Sequence, residues 1–136
     1  MIFKSFVLIF VLALALSELS VVLGKYHVYI FNDIVNDTGT GTPLTIHCKS
    51  EDDDLGEQLL PPVGHFTWKF NLNLLGNTLF YCNFQFDNMQ GHYNIFEATR
   101  DGHRCYLKCL WLVRQDGLYF SNGDKKTLEL QYVWPK

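Results

Sequence analysis

Along most of the chain apolar and polar residues alternate with a period of two, the spacing that sends successive side chains to opposite faces of a strand. In residues 66–70 the rings of Phe66, Trp68 and Phe70 share one face, and Thr67 and Lys69 take the other. Near the C-terminus Leu128, Leu130, Tyr132 and Trp134 alternate with Thr127, Glu129, Gln131 and Val133, which predicts a strand with one apolar face. Further strands are predicted over 26–31, 44–49, 78–86, 92–98, 104–114 and 118–121, all rich in the aromatic and β-branched residues that strands favour. Asp116-Gly117 and Asn122-Gly123 supply the positive φ angles of tight hairpin turns, so the last third reads as a three-stranded meander. Asp101-Gly102 marks another turn, while Pro61-Pro62 and Thr38 to Pro43 mark loops. About eight short strands with a turn every roughly 8 to 12 residues predict an all-β fold, a small antiparallel two-sheet sandwich, with a small barrel as the alternative.

The first 24 residues break the pattern. Lys4 precedes an unbroken apolar run over 6–16, followed by Ser17, Glu18 and Ser20. This is the layout of a secretory signal peptide, and the run is well short of the roughly 20 residues a membrane-crossing helix needs. Cleavage is expected near Gly24, with Val22 as the other small residue. Residues 25–136 then form one exported, soluble domain, small enough to gain from covalent staples. All four cysteines lie in it, and an even number in a small secreted chain reads as two disulfides. Cys105 and Cys109 share parity with Leu107, Trp111 and Val113; Cys48 is in phase with Leu44 and Ile46, and Cys82 with Phe80, Phe84 and Phe86. The four thiols are thus expected to face inward on three strands and to cross-link the sheets. Residues four apart on an extended strand are separated by about 13 Å, so an unbroken strand over 104–114 excludes a Cys105–Cys109 bond. Two schemes stay open: Cys48 with Cys109 plus Cys82 with Cys105, or the converse. The first is preferred, because cysteines nearer along the chain are usually neighbours in a meander.

Charge removes several function classes. A net charge of −3, with no basic cluster longer than Lys125-Lys126, argues against nucleic acid and against anionic membranes as partners. The run Glu51, Asp52, Asp53, Asp54 is the most conspicuous polar feature. It reads first as a solvated acidic turn ending at Gly56, then as a recognition surface, and last as a Ca²⁺ site. A calcium-binding loop of the EF-hand kind starting at Asp52 needs Glu at its twelfth position, where Val63 stands. His27, His47, His65, His92 and His103 are too scattered for a zinc motif, so neither metal nor other cofactor is expected. Beyond the signal segment Ser50 and Ser121 are the only serines, neither in a Gly-x-Ser-x-Gly elbow, and paired cysteines leave no thiolate nucleophile. His65-Phe66-Thr67-Trp68 lacks the pattern of the secreted ribonucleases. No enzymatic activity is expected. Asn36-Asp37-Thr38 is a glycosylation sequon in loop-like surroundings. Aromatic residues make up 15% of the chain, and the in-phase placement of Trp68, Trp111 and Trp134 assigns them to the core before any sugar-binding platform.

Three stretches carry a family resemblance. His47-Cys48-Lys49-Ser50 runs into the acidic segment and is followed by Phe66-x-Trp68-x-Phe70. Then come Thr78-Leu79-Phe80-Tyr81-Cys82-x-Phe84 and Cys105-x-x-x-Cys109-x-Trp111-x-Val113-x-x-Asp116-Gly117-Leu118-Tyr119. In order and spacing these resemble the plant self-incompatibility S-protein homologue family, from about Tyr26 to Trp134. Phe86 stands where many members place Trp, and the Asn36 to Thr42 loop has its own sequence. The resemblance implies a secreted β-sandwich with two disulfides and, for the founding members, a stigma-secreted ligand recognised by a pollen-surface receptor. The expected function is therefore a monomeric secreted ligand recognised by a cell-surface receptor protein through its loops. The loops concerned are Asn36 to Thr42, Ser50 to Glu57, Asn88 to Gly91 and Asp101 to Arg104, with Glu51, Asp52, Asp53, Asp54, Asp101, His103 and Arg104 as candidate recognition residues. The alternative is a cell-wall glycan-binding or defence protein that uses exposed aromatics.

Overall fold

The computed structural model describes residues 25–105, 107–121 and 127–135. The signal segment, its cleavage point near Gly24 and the Asn122-Gly123 turn lie outside the described residues. Among those described there are nine strands and one short helix: β1 (Tyr26–Asn32), β2 (Leu44–Lys49), β3 (Asp54–Leu60), β4 (His65–Phe70), β5 (Leu79–Phe86), β6 (Met89–Glu97), α1 (Ala98–Asp101), β7 (Lys108–Arg114), β8 (Gly117–Ser121) and β9 (Glu129–Val133). They build a five-stranded sheet in the order β4-β1-β7-β8-β9 and a four-stranded sheet in the order β3-β2-β5-β6. The fold is the expected all-β sandwich, with one departure from antiparallel pairing: β1 and β7 run parallel, Val28 beside Cys109 and Ile30 beside Trp111. A parallel pair needs a long crossover, and here the whole four-stranded sheet lies between the two strands in sequence.

Alternation explains most strands. β1 and β2 bury every second residue, and β5 buries Phe80, Cys82, Phe84 and Phe86 while exposing Leu79, Asn83 and Gln85. Across the interior, Val28, Ile30, Trp111, Val113, Leu118 and Phe120 from the larger sheet meet Leu44, Ile46, Phe84, Ile95 and Phe96 from the smaller. Most of the rings pack edge-on or tilted, as between Trp111 and Phe120 at 5.2 Å and between Phe84 and Trp134 at 5.8 Å, while Trp111 stacks on Tyr132, arrangements that favour aromatic quadrupoles.

Four elements differ from the expectation. β3 carries no apolar alternation because it is an edge strand, mostly exposed, with Gly56 at φ +79° and a register shift opposite His47 and Lys49. β6 begins at Met89, directly opposite Phe86, so the expected Asn88 to Gly91 loop shrinks to Asp87-Asn88. The expected strand over 104–114 is broken. Residues 98–101 are helical, Gly102 continues in the right-handed helical region at φ −57°, and Leu107 turns the chain at φ +72° before β7 starts. Finally, a register shift places Leu118 opposite Tyr132 but Tyr119 opposite Leu130. This bulge sends Tyr132 towards the core and leaves Leu130 at 47% exposure, so β9 does not present one apolar face.

The break before β7 also corrects the disulfides. Cys105 and Cys109 are bonded to each other, their Cα atoms 5.0 Å apart, because the turn through Leu107 folds the chain back. Cys48 and Cys82 face each other on β2 and β5, Cα atoms 4.0 Å apart, and form the second bond. Neither of the two open schemes is realised, and neither disulfide joins one sheet to the other.

Polar groups do that instead. Asn32, buried at the end of β1, donates from Nδ2 to the Thr42 and Leu60 carbonyls at 2.7 and 3.1 Å, and its Oδ1 accepts from the Ile34 amide. Gly117 has a further role. Its φ is not positive; a side chain there would run into the Tyr132 carbonyl of β9. Its glycine therefore serves a close strand approach, not the expected turn angle.

Candidate functional site

Strand registers sort the loops into two groups. The Asn32 end of β1 lies beside the start of β2 and the end of β3, so segments 33–43, 61–64, 87–88 and 115–116 cluster there. The Tyr26 end gathers 50–53, 71–78 and 98–105, tied by the Ala98 amide donating to the Thr78 carbonyl at 3.0 Å and by Tyr26 Oη donating to the Gly102 carbonyl at 2.8 Å. Asn36 belongs to the first end. The acidic run and His103 belong to the second.

In the acidic run the four carboxylates divide three to one. The Ser50 amide donates to the Asp53 carbonyl and the Asp53 amide donates to Ser50 Oγ, which closes a tight turn with Glu51, Asp52 and Asp53 exposed. Among the described residues none of these three has an ion-pair partner. Asp54 does: its Oδ1 meets His47 Nε2 at 2.5 Å and accepts the Gly56 amide at 2.9 Å, with Lys49 Nζ 3.9 Å from Oδ2. The His47 hydrogen bond, then the Gly56 amide, hold the Asp54 carboxyl below the ordinary carboxylate range. Asp54 thus fastens β3 to β2, while its three neighbours face solvent.

Two of the expected recognition residues are internal. Asp101 is completely buried and ion-paired to both Arg100 and Arg104, at 2.8 and 2.7 Å. Arg104 is half-buried, lies 3.6 Å over the Phe120 ring and donates to Gln131 Oε1 at 2.7 Å. These side chains anchor α1 to the larger sheet. A charged Asp-Gly-His-Arg stretch looks like a surface loop in sequence; the compensating arginines pull its acid inside. His103 stays exposed.

The sequence reading passed over the loop between β4 and β5. Asn73 organises it: the Asn73 amide donates to Thr78 Oγ1, its Nδ2 to Asn77 Oδ1, the Asn77 amide to Asn73 Oδ1, and the Gly76 amide to the Asn73 carbonyl. At its tip Leu74 and Leu75 stand at 105% and 85% exposure. Alternation hid Leu74, which continues the apolar series Phe66, Trp68, Phe70, Leu72; the available signal was the adjacent Leu75, which breaks that series just before Gly76. A cleft of about 430 Å³ runs between this loop and the acidic turn.

At the other end Asn36 Oδ1 accepts from the Thr38 and Thr40 amides and from Thr38 Oγ1. Its Nδ2, the atom that would carry a glycan, has no hydrogen bond among the described residues. A second groove of about 510 Å³ crosses the outer face of the four-stranded sheet, over the row Glu57, His47, Asn83 and His92.

The fold and its loops define a class: a small disulfide-stapled β-sandwich that displays polar and apolar groups from its ends on a rigid frame. The family model of plant self-incompatibility protein S1 matches residues 27–134. The chain belongs to this family. It is 35% identical to S-protein homolog 3 of Arabidopsis thaliana over 74% of this chain and 69% of the relative, and 44% identical to S-protein homolog 1 of the same plant over 74% and 68%. A solved SPH (self-incompatibility protein homologue) structure superposes with a TM-score of 0.60 at 20% identity, covering 82% of this chain and 96% of the other. That work describes the SPH proteins as a widespread family of small, highly stable, secreted proteins from plants.

Proposed function

We propose that the protein is an exported ligand, released by cleavage near Gly24, that a cell-surface receptor protein recognises through loops at the Tyr26 end of the sandwich. The observation that carries this reading is the gathering there of three carboxylates without cation partners among the described residues, the exposed Asn-braced loop and His103, all on a frame whose interior is filled by packed side chains. Rigid scaffolds that hold loops in place suit recognition, because less freedom is lost on binding. Membership of the S-protein homologues supports the same reading, and it involves no catalytic step. The monomer suffices for it. N-glycosylation of Asn36 at the opposite end is compatible with a free recognition end.

The test is binding of fluorescently labelled 25–136 protein to intact plant cells. Saturable binding that unlabelled protein competes away and that mild protease treatment of the cells abolishes is expected; protease-resistant or non-saturable binding overturns the reading. The polar groove over Glu57, Asn83 and His92, whose His92 ring packs 5.2 Å from the Tyr81 ring of the neighbouring cleft, favours a second reading as a wall-glycan binder. Glycan-array binding lost in Tyr81→Ala would select it.

A further inference from the structure

Leu74 and Leu75 are the most telling exposed groups at the recognition end. Apolar side chains at 105% and 85% exposure gain nothing for the fold. Yet their turn is closed by the amide, carbonyl and side chain of Asn73 and by Thr78 and Asn77, so the pair is held out on a braced support. A braced apolar tip is the form of an anchor that enters a pocket on a partner, since its ordering entropy is already spent.

The surroundings say what kind of partner. Across the cleft that Asn73 and Asn77 share with the acidic turn lie Glu51, Asp52 and Asp53, exposed and without cation partners among the described residues. Three negative charges beside the leucines oppose insertion into an anionic membrane. They complement a protein surface on which lysine or arginine rims an apolar pocket. We infer that segments 50–53 and 71–78 form one docking surface, in which Leu74 and Leu75 enter an apolar pocket of a partner protein while Glu51, Asp52 and Asp53 meet basic side chains on its rim. The inference rests on the ligand reading above and names its surface and the partner's chemistry.

Two probes test it with the 25–136 protein: intact plant cells, and a synthetic amphipathic helical peptide of leucine and lysine, set against its leucine–glutamate counterpart. Wild type is expected to prefer the leucine–lysine peptide, more weakly as salt is raised. L74S/L75S lowers affinity for peptide and cells at least about tenfold, roughly the cost of losing one anchor. E51Q/D52N/D53N weakens binding and flattens the salt dependence, and Asn36→Gln at the far end changes neither. All five positions are exposed, so thermal midpoints should match wild type, which separates lost contacts from lost folding. Wild-type binding by both variants overturns the inference, as does no preference for the basic peptide, or tip-dependent partition into phosphatidylcholine vesicles. Saturable cell binding that ignores both variants removes this surface and leaves the receptor reading standing. Peptide binding that needs these residues, without saturable cell binding, does the reverse.

Discussion

Arg100 grips the carboxylate of its own neighbour, Asp101, with two parallel hydrogen bonds, Nε to Oδ1 at 2.9 Å and Nη2 to Oδ2 at 2.8 Å. From there Arg100 Nη1 donates to Tyr132 Oη, which donates on to the Asn94 carbonyl, so one buried acid ties α1 to both β6 and β9. Burial by itself lowers the Arg100 pKa, but Asp101 and then Tyr132 outweigh it and the net shift is upward. Asp101→Asn takes from two half-buried guanidinium groups the carboxylate they share, and leaves Arg100 only the longer 3.8 Å pair with Glu97. We expect a loss of about 3 kcal/mol, the lower end for breaking a buried pair because both arginines keep some water, read as a lower urea midpoint at unchanged slope.

Asn32 holds the sheets together by donating to the Thr42 carbonyl and to the Leu60 carbonyl at the end of β3. Asn32→Leu matches it in size yet donates to neither carbonyl, so about 2 kcal/mol of stability should be lost. Equal stability of the leucine variant would mean that water replaces the amide.

The disulfides differ in the loops they close. With a separation of 34, Cys48–Cys82 should contribute about 4 kcal/mol on the chain-entropy model, and Cys105–Cys109, with a separation of 4, about 2 kcal/mol. C48A/C82A is therefore expected to melt well below C105A/C109A. Under non-reducing conditions trypsin, cutting after Lys108, should release Cys105 and Cys109 on two peptides still joined; a peptide linking Cys48 to Cys109 would refute the pairing.

The Asp54 carboxyl titrates lower in the folded chain than in the unfolded one, so its contribution is complete above about pH 4 and is lost as pH falls through the lower folded value. In His47→Ala the largest cause of that depression is gone. Carboxyl NMR should then show the Asp54 midpoint moving upward, and amides at the β2–β3 end exchanging faster in mild acid.

Gly117→Ala puts a methyl group against the Tyr132 carbonyl of β9, a backbone atom with little freedom to retreat. A loss near the top of the roughly 1–3 kcal/mol range of overpacking is expected. A neutral outcome would show that β9 can shift outward.

The strands with one buried face were legible in the chain because water imposes a period of two on them. β1, β2, β4, β5 and β8 fell within a residue of their expected bounds. β3 was not, since an edge strand buries too little to leave an alternation. The strand expected over 104–114 failed because parity could not reveal that Leu107 turns the chain, and with that turn went both disulfide schemes. At the candidate site Glu51, Asp52 and Asp53 were visible as solvated charges. Asp101 was misread because two arginines make its burial affordable, and Leu74 and Leu75 were passed over because an apolar residue is presumed inside until the packing leaves it out.

By itself the chain determined its β class, the apolar faces of most strands, the family and the likeness to an exported protein, all of which follow from local pattern and residue chemistry. Tertiary structure decided which cysteines meet, which acid is buried and which loops share an end. Those are relations between segments far apart in sequence, and only the closing of two sheets over a common core fixes them.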